Sequence, residues 1–230
     1  MALTSQQLIS LALQTVNVPK FTLQAGQLLN MILSDLCQNY SLAAALGSGT
    51  VVTSGAVGSG PYNLPADYLR MAGNEVRYSI NLVPYVMVNI DLAEFDALIQ
   101  QIGDVNFPEL FATDPSQVPP VIFLWPPPNG ALTINIRYYR QMPDIASPES
   151  STAVPWFPNS DYLLTRLTGE LMRMTGNERS IVYLEGAKST LREYLVLQAD
   201  DEGRAKTVKL DRRRFGSKMG RLPLTKLYDF

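Results

Sequence analysis

Three groups of residues have types and spacing that could support chemistry. Asp91, Glu94 and Asp96 lie close together, and Asp200, Asp201 and Glu202 are consecutive. Paired carboxylates do the acid/base work of glycoside hydrolysis, but there the working quantity is a separation across a cleft, which spacing along the chain does not set. The first group reads more simply as a helix start, where acids cap free N–H groups and oppose the helix dipole. The second closes a helical stretch, where acids are unfavourable, and abuts a basic run. That run is the third group: Lys206, Lys209, Arg212, Arg213, Arg214, Lys218, Arg221 and Lys226 could hold phosphates.

The remaining catalytic inventory is short. The chain has no histidine. That removes Ser-His-Asp and Cys-His nucleophiles, the commonest general base and the commonest transition-metal ligand. Cys37 is the single cysteine, so it offers neither an intramolecular disulfide nor a cysteine zinc site. Within an apolar helical pattern it reads as packing. The glycine-rich segment 47–60 lacks both phosphate-loop signatures and reads as a short hairpin or mobile loop around Thr50-Val51-Val52-Thr53. No enzyme activity, cofactor or metal is expected.

These residues need elements to position them. Thr4 and Gln7 form a capping box, with Leu8, Leu11, Ala12 and Val16 following at helical spacing until Pro19. Thr22 is a second N-cap ahead of Ala25, Leu28, Leu29, Ile32, Leu36 and Tyr40, with Gly47 as the stop. Glu75–Ile80 and Val83–Val88 are strand candidates around Asn81-Leu82. Asp91 and Glu94 start a short helix to about residue 102. Val118–Trp125 and Ala131–Tyr139 flank Pro126-Pro127-Pro128-Asn129-Gly130, and Asn-Gly predicts that they pair as a hairpin. In the second strand Leu132, Ile134, Ile136 and Tyr138 share one face.

After a proline-rich connector at 143–158, Asn159 or Ser160 caps a helix bearing Leu164, Leu167, Leu171 and Met174. Thr175-Gly176-Asn177 turns the chain into another helix, to about residue 201, with Ile181, Leu184, Ala187, Leu191, Tyr194 and Leu195 facing inward. So short a link predicts antiparallel packing. The fold class expected is α+β: an antiparallel bundle of two N-terminal and two C-terminal helices (1–46 and 159–203). A β-rich module with a short helix is inserted (47–158), and an extended basic arm follows (204–230). The tyrosines, Trp125 and Trp156 are scattered and read as core. With 46% hydrophobic residues the chain has material for a sizeable core. It has no run of 18 apolar residues, so no membrane span is expected. Its first basic residue is Lys20, which speaks against a secretory signal.

The arm carries the sharpest asymmetry. Residues 203–230 hold nine of the 19 Lys and Arg but two of the 21 acids, a net +7, while residues 1–202 carry −9. Its few apolar anchors cannot offset the backbone entropy of so many residues. It therefore needs a partner surface to order it, and extended it could reach on the order of 90 Å. DNA, an acidic protein and plain solvent are all compatible with its charge. The interleaved Val208, Leu210, Phe215, Leu222, Leu224 and Leu227 favour a protein groove, since a phosphate grip has no use for spaced aliphatics.

Four stretches, in order, resemble the head-to-tail adaptor (head completion, connector or tail accessory) proteins of short-tailed bacteriophages. They are Tyr62-Asn63-Leu64-Pro65-Ala66-Asp67-Tyr68-Leu69-Arg70, Ile136-Arg137-Tyr138-Tyr139-Arg140-Gln141-Met142-Pro143-Asp144, Tyr162-Leu163-Leu164, and Leu210-Asp211-Arg212-Arg213-Arg214-Phe215-Gly216 with Leu222-Pro223-Leu224-Thr225-Lys226. The resemblance implies a helical domain with an inserted β module, and a ring of twelve copies between the portal and a tail nozzle or tube, through which genomic DNA passes. It implies a place at the portal–tail junction of the virion, after synthesis in the host cytoplasm. It also implies a portal-binding arm comprising Val208, Leu210, Asp211, Arg212, Arg213, Arg214, Phe215, Leu222, Pro223, Leu224, Thr225, Lys226 and Leu227. The alternative from the residues alone is a DNA-binding protein using the same basic arm, with a cell-wall glycosidase as a third class.

Overall fold

The computed structural model describes residues 3–54, 60–80, 82–99 and 107–201. It is an α+β protein with one large sheet. The described residues up to Leu195 belong to one compact unit, and Val196 opens a second.

Helix α1 (Ser5–Val16) begins with the full capping box: Gln7 N–H donates to Thr4 Oγ1 at 3.3 Å, and Thr4 N–H to Gln7 Oε1 at 3.0 Å. Ile9 and Leu13 join Leu8 and Ala12 inside, whereas Leu11 is exposed. Helix α2 (Thr22–Asn39) differs from expectation at both ends. Phe21 occupies the cap without a side-chain bond, and Tyr40 is already extended, so the helix stops before Gly47. Asn159 caps helix α4 (Ser160–Met174) by accepting from Tyr162 N–H at 3.0 Å. Helix α5 (Ser180–Asp201) follows. Met174 and Ile181, expected inside, flank the intervening turn and point to solvent.

Leu8, Leu29, Leu36, Leu163, Leu167, Ala187 and Leu191 share one core, so all four of these helices contribute to it. Contacts join α1, α2 and α4 directly. Gly169 on α4 lets α5 close in, since a Cβ there would sit 2.8 Å from Leu184 Cδ2 and 3.2 Å from its backbone nitrogen.

The sheet contains β1 (Leu46–Val52), β2 (Tyr62–Asn63), β3 (Tyr68–Met71), β4 (Glu75–Ile80), β5 (Val83–Asn89), β6 (Leu110–Asp114), β7 (Val121–Trp125) and β8 (Thr133–Arg140). Its order is β1-β8-β4-β5-β6-β7-β2, with β3 also paired to β8. Every strand sends at least one side chain into a second core, among them Val51, Tyr62, Tyr68, Tyr78, Met87, Phe111, Ile122 and Ile134. The end strands β1 and β2 touch, so the sheet curls around that core. The pairing of β5 with β6 is parallel, which requires a crossover. Helix α3 (Leu92–Ile99) lies in that crossover and buries Phe95 against Phe123 of β7, ring centres 5.4 Å apart.

Two sequence expectations are corrected. β7 and β8 are not a hairpin: β7 lies between β6 and β2, and β8 pairs with β1, with β4 and with β3. Three consecutive prolines supply no N–H donors to a ladder, and both strands fill their edges elsewhere. The glycine-rich start of 47–60 is neither loop nor hairpin. It is β1, paired with β8 from Leu46↔Tyr139 to Val52↔Thr133. Its glycines serve close approach, since a Cβ on Gly49 would lie 3.0 Å from Pro65 Cγ and 3.3 Å from Tyr138 Cε1. The expected strands at 75–80 and 83–88 do pair antiparallel, Ile80 opposite Val83.

Candidate interaction surfaces and the junction between the cores

The two motifs quoted above from the chain's middle meet in space. Asp67 lies before β3, and its Oδ1 accepts the Tyr138 hydroxyl at 2.8 Å. Its carbonyl accepts Gln141 N–H. Burial, and a hydroxyl proton held by Asp67, push the Tyr138 phenol up to about 12. Tyr68 donates to Thr113 Oγ1 at 3.2 Å, and burial raises its phenol as well.

Arg70 faces the helices. Its guanidinium donates to the carbonyls of Gln38 and, at 2.6 Å, Tyr40, satisfying the open C-terminus of α2. It also lies over the Tyr139 ring, 4.9 Å from the centre. A basic group at a helix C-terminus gains from the dipole as well. Cys37 on α2 is buried beside Ala45 and Tyr139, and its thiol donates to the Arg140 carbonyl at 2.9 Å. These residues fasten sheet to helix.

The outer face of the sheet is different. β8 alternates, so Thr133, Asn135 and Arg137 face out while Ile134, Ile136 and Tyr138 face the core. Arg77 on β4 lies opposite Asn135, and Ser48 and Thr50 on β1 lie opposite Arg137 and Asn135. Together with Gly73 and Asn74 they line an open groove of about 1100 Å³. Neither Arg77 nor Arg137 has a side-chain partner among the described residues, whose ion pairs are Arg166–Glu170 and Arg173–Glu170 in α4. Next to β4 the outer face turns apolar, with Pro84, Val86 and Val88 exposed on β5.

The thirteen arm residues expected to bind the portal lie outside the described residues. The side chains of Asp200, Asp201 and Glu202 do too. Asp91, Glu94 and Asp96 are exposed around α3. Among the described residues no three His, Cys, Asp or Glu gather to hold a metal ion, and no helix is long and apolar enough to cross a membrane. Arg77 and Arg137 were not singled out from sequence. The signal available was the β8 alternation, which places Arg137 on the solvent face.

No curated protein matches the chain. The family of the SU10 adaptor protein matches residues 3–211, from the start of α1 through both cores into the beginning of the arm. Val208, Leu210 and Asp211 fall within the match, and Arg212 onward lies past it. Membership implies a non-enzymatic virion component associated with phage portal and tail parts. The chain belongs to the SU10 adaptor protein family, a family of phage head-to-tail adaptors.

Proposed function

We propose that this chain forms an adaptor ring between portal and tail, docking on the portal through residues 204–230 and letting genomic DNA pass through the ring. The family match over residues 3–211 carries this reading. Twelve copies are what the resemblance implies. On this reading the helices of 1–46 and 159–203 are a bundle domain, and the inserted β module of 47–158 meets the tail component.

The charge distribution supports it. A body at −9 suits a channel through which duplex DNA must slide, because basic walls would hold phosphates. An arm at +7 with spaced apolar anchors suits an acidic, grooved protein surface. Several tethered arms per ring would turn modest single affinities into lasting assembly. The free chain is expected to be monomeric until it meets the portal.

Deleting residues 204–230 should leave a folded, soluble body with native circular dichroism and abolish co-sedimentation with the portal ring. Retained portal binding would remove the arm from the mechanism. The nine cations of the tail also favour a second reading, a DNA-binding arm. It requires duplex affinity that falls steeply with salt, and a flat low-salt titration would eliminate it.

A further inference from the structure

The folded body is electrically segregated. Between Arg77 and Arg137 the chain has no Lys or Arg, yet it carries Asp91, Glu94, Asp96, Asp104, Glu109 and Asp114. The sheet's cations, Arg70, Arg77, Arg137 and Arg140, all sit on β3, β4 and β8. The described acids of the cation-free stretch sit on the other side of β5, around α3, before β6 and at its end. Arg70 is engaged at the junction and Arg140 is half-buried there, but Arg77 and Arg137 are exposed in the outer groove with no ion-pair partner among the described residues, although Glu75 shares the groove wall. They are diagonal neighbours on one sheet face, so their positive charges lie together along the groove.

A chain that presents unpaired arginines on one flank and unpaired carboxylates on another is complementary to itself, head to tail. Such a heterologous contact uses two different patches and closes into a ring when its rotation allows. We propose that the Arg77/Arg137 groove of one copy receives the α3 acids, Asp91, Glu94 and Asp96, of a second copy. Ser48, Thr50, Asn74 and Asn135 supply neutral hydrogen-bonding groups along the same groove. The exposed Pro84, Val86 and Val88 beside Arg77 give the contact apolar area, which charge pairs alone lack. Glu75 in the groove wall and the net −9 body disfavour DNA as the occupant.

This inference rests on the ring reading of the proposed function, and a complementation experiment separates the two. Arg77→Glu/Arg137→Glu and Asp91→Lys/Glu94→Lys/Asp96→Lys variants of the full chain are assembled on the portal ring and counted by native mass spectrometry. Both sets of positions are exposed, and circular dichroism checks the fold. Each variant alone should lose about ten-fold in neighbouring-copy occupancy, and an equimolar mixture should restore it, because alternating copies make every contact complementary again. Variants that assemble like the wild type, or a mixture that fails to rescue, overturn the interface while leaving the ring intact. A groove variant that assembles normally but loses duplex binding would assign the groove to DNA instead. If the wild type binds the portal without neighbouring copies, the ring reading falls and the interface with it.

Discussion

The helical core and the sheet core are buried by different chain paths. The sheet core draws on one continuous stretch, Val51 to Tyr138. The helical core draws on two distant ones, Leu8–Leu42 and Phe157–Leu191. Its halves are tied by long-range bonds such as Ser5 N–H to the Ala153 carbonyl, 2.9 Å, and the paired bonds of Asn30 with Ile145 at 3.0 and 3.1 Å. The two paths meet where Leu46 pairs with Tyr139. Closing the sheet therefore brings the two halves of the helical core together, and it lowers the loop-closure entropy that the helices would otherwise face alone. On this topology the sheet is expected to form without the helices, whereas the helices depend on the sheet to bring their halves together.

The largest test of that asymmetry lies in the helical core. Phe157, in the connector, is buried with its ring edge-on to Trp156, Tyr162 and Tyr194, centres 6.0, 5.4 and 5.1 Å away. Phe157→Ala should cost about 3–5 kcal/mol there. Monitored by hydrogen exchange, protection should fall in α1, α2 and α4 and persist in β4, β6 and β8. Equal loss in both cores would show one cooperative unit and break the comparison.

The junction should behave in the opposite way, weakening both cores at once. Arg70→Ala removes two charge-assisted bonds to the end of α2 and the stacking on Tyr139, and about 2–3 kcal/mol is expected for a half-exposed site. Arg70→Lys keeps the charge but not the fork, so it should recover less than half. The measurement is chemical denaturation followed by exchange, and the expected pattern is parallel loss in α2 and β3. Loss confined to the helices would make Arg70 a plain helix cap.

The same contrast explains what was legible in the sequence. The Thr4–Gln7 box, the Asn159 cap and the β8 alternation rest on neighbours a few residues away, and the structure keeps them. The β7–β8 hairpin failed because strand partners are chosen across the whole sheet, and a local Asn-Gly turn cannot outweigh edges already filled. Gly47 and Gly49 looked like loop residues because the groups they make room for, Arg140 and Tyr138, come from some ninety residues further along. The Asp67–Arg70 motif was visible, but its task was not. That task became clear only when α2 and β8 were placed beside it. The outer groove was hidden for the same reason, since Arg77 and Arg137 are neighbours only through β4–β8 pairing.

The smallest effect sharpens the comparison most finely. Tyr138 keeps its ring in the sheet core and its hydroxyl on Asp67, three residues before Arg70. Asp67 keeps partial contact with water, so Tyr138→Phe should cost about 1 kcal/mol at neutral pH rather than the larger value of a buried charged bond. High pH adds a second reading. The unfolded phenol ionises near 10.0 and the folded one near 12, so as pH rises the unfolded chain loses its proton first. The stabilising contribution is intact below pH 10, declines between 10 and 12, and levels off above. Tyr78 in the sheet core and Tyr162 in the helical core are also raised to about 12 by burial, so alkaline unfolding should draw on both cores. Tyr138→Phe should flatten the wild-type decline by the share of one phenol, so the wild type's advantage should shrink and be lost as pH rises from 10 toward 12. Parallel curves with a constant offset would show that the Tyr138 proton does not fasten Asp67 to β8.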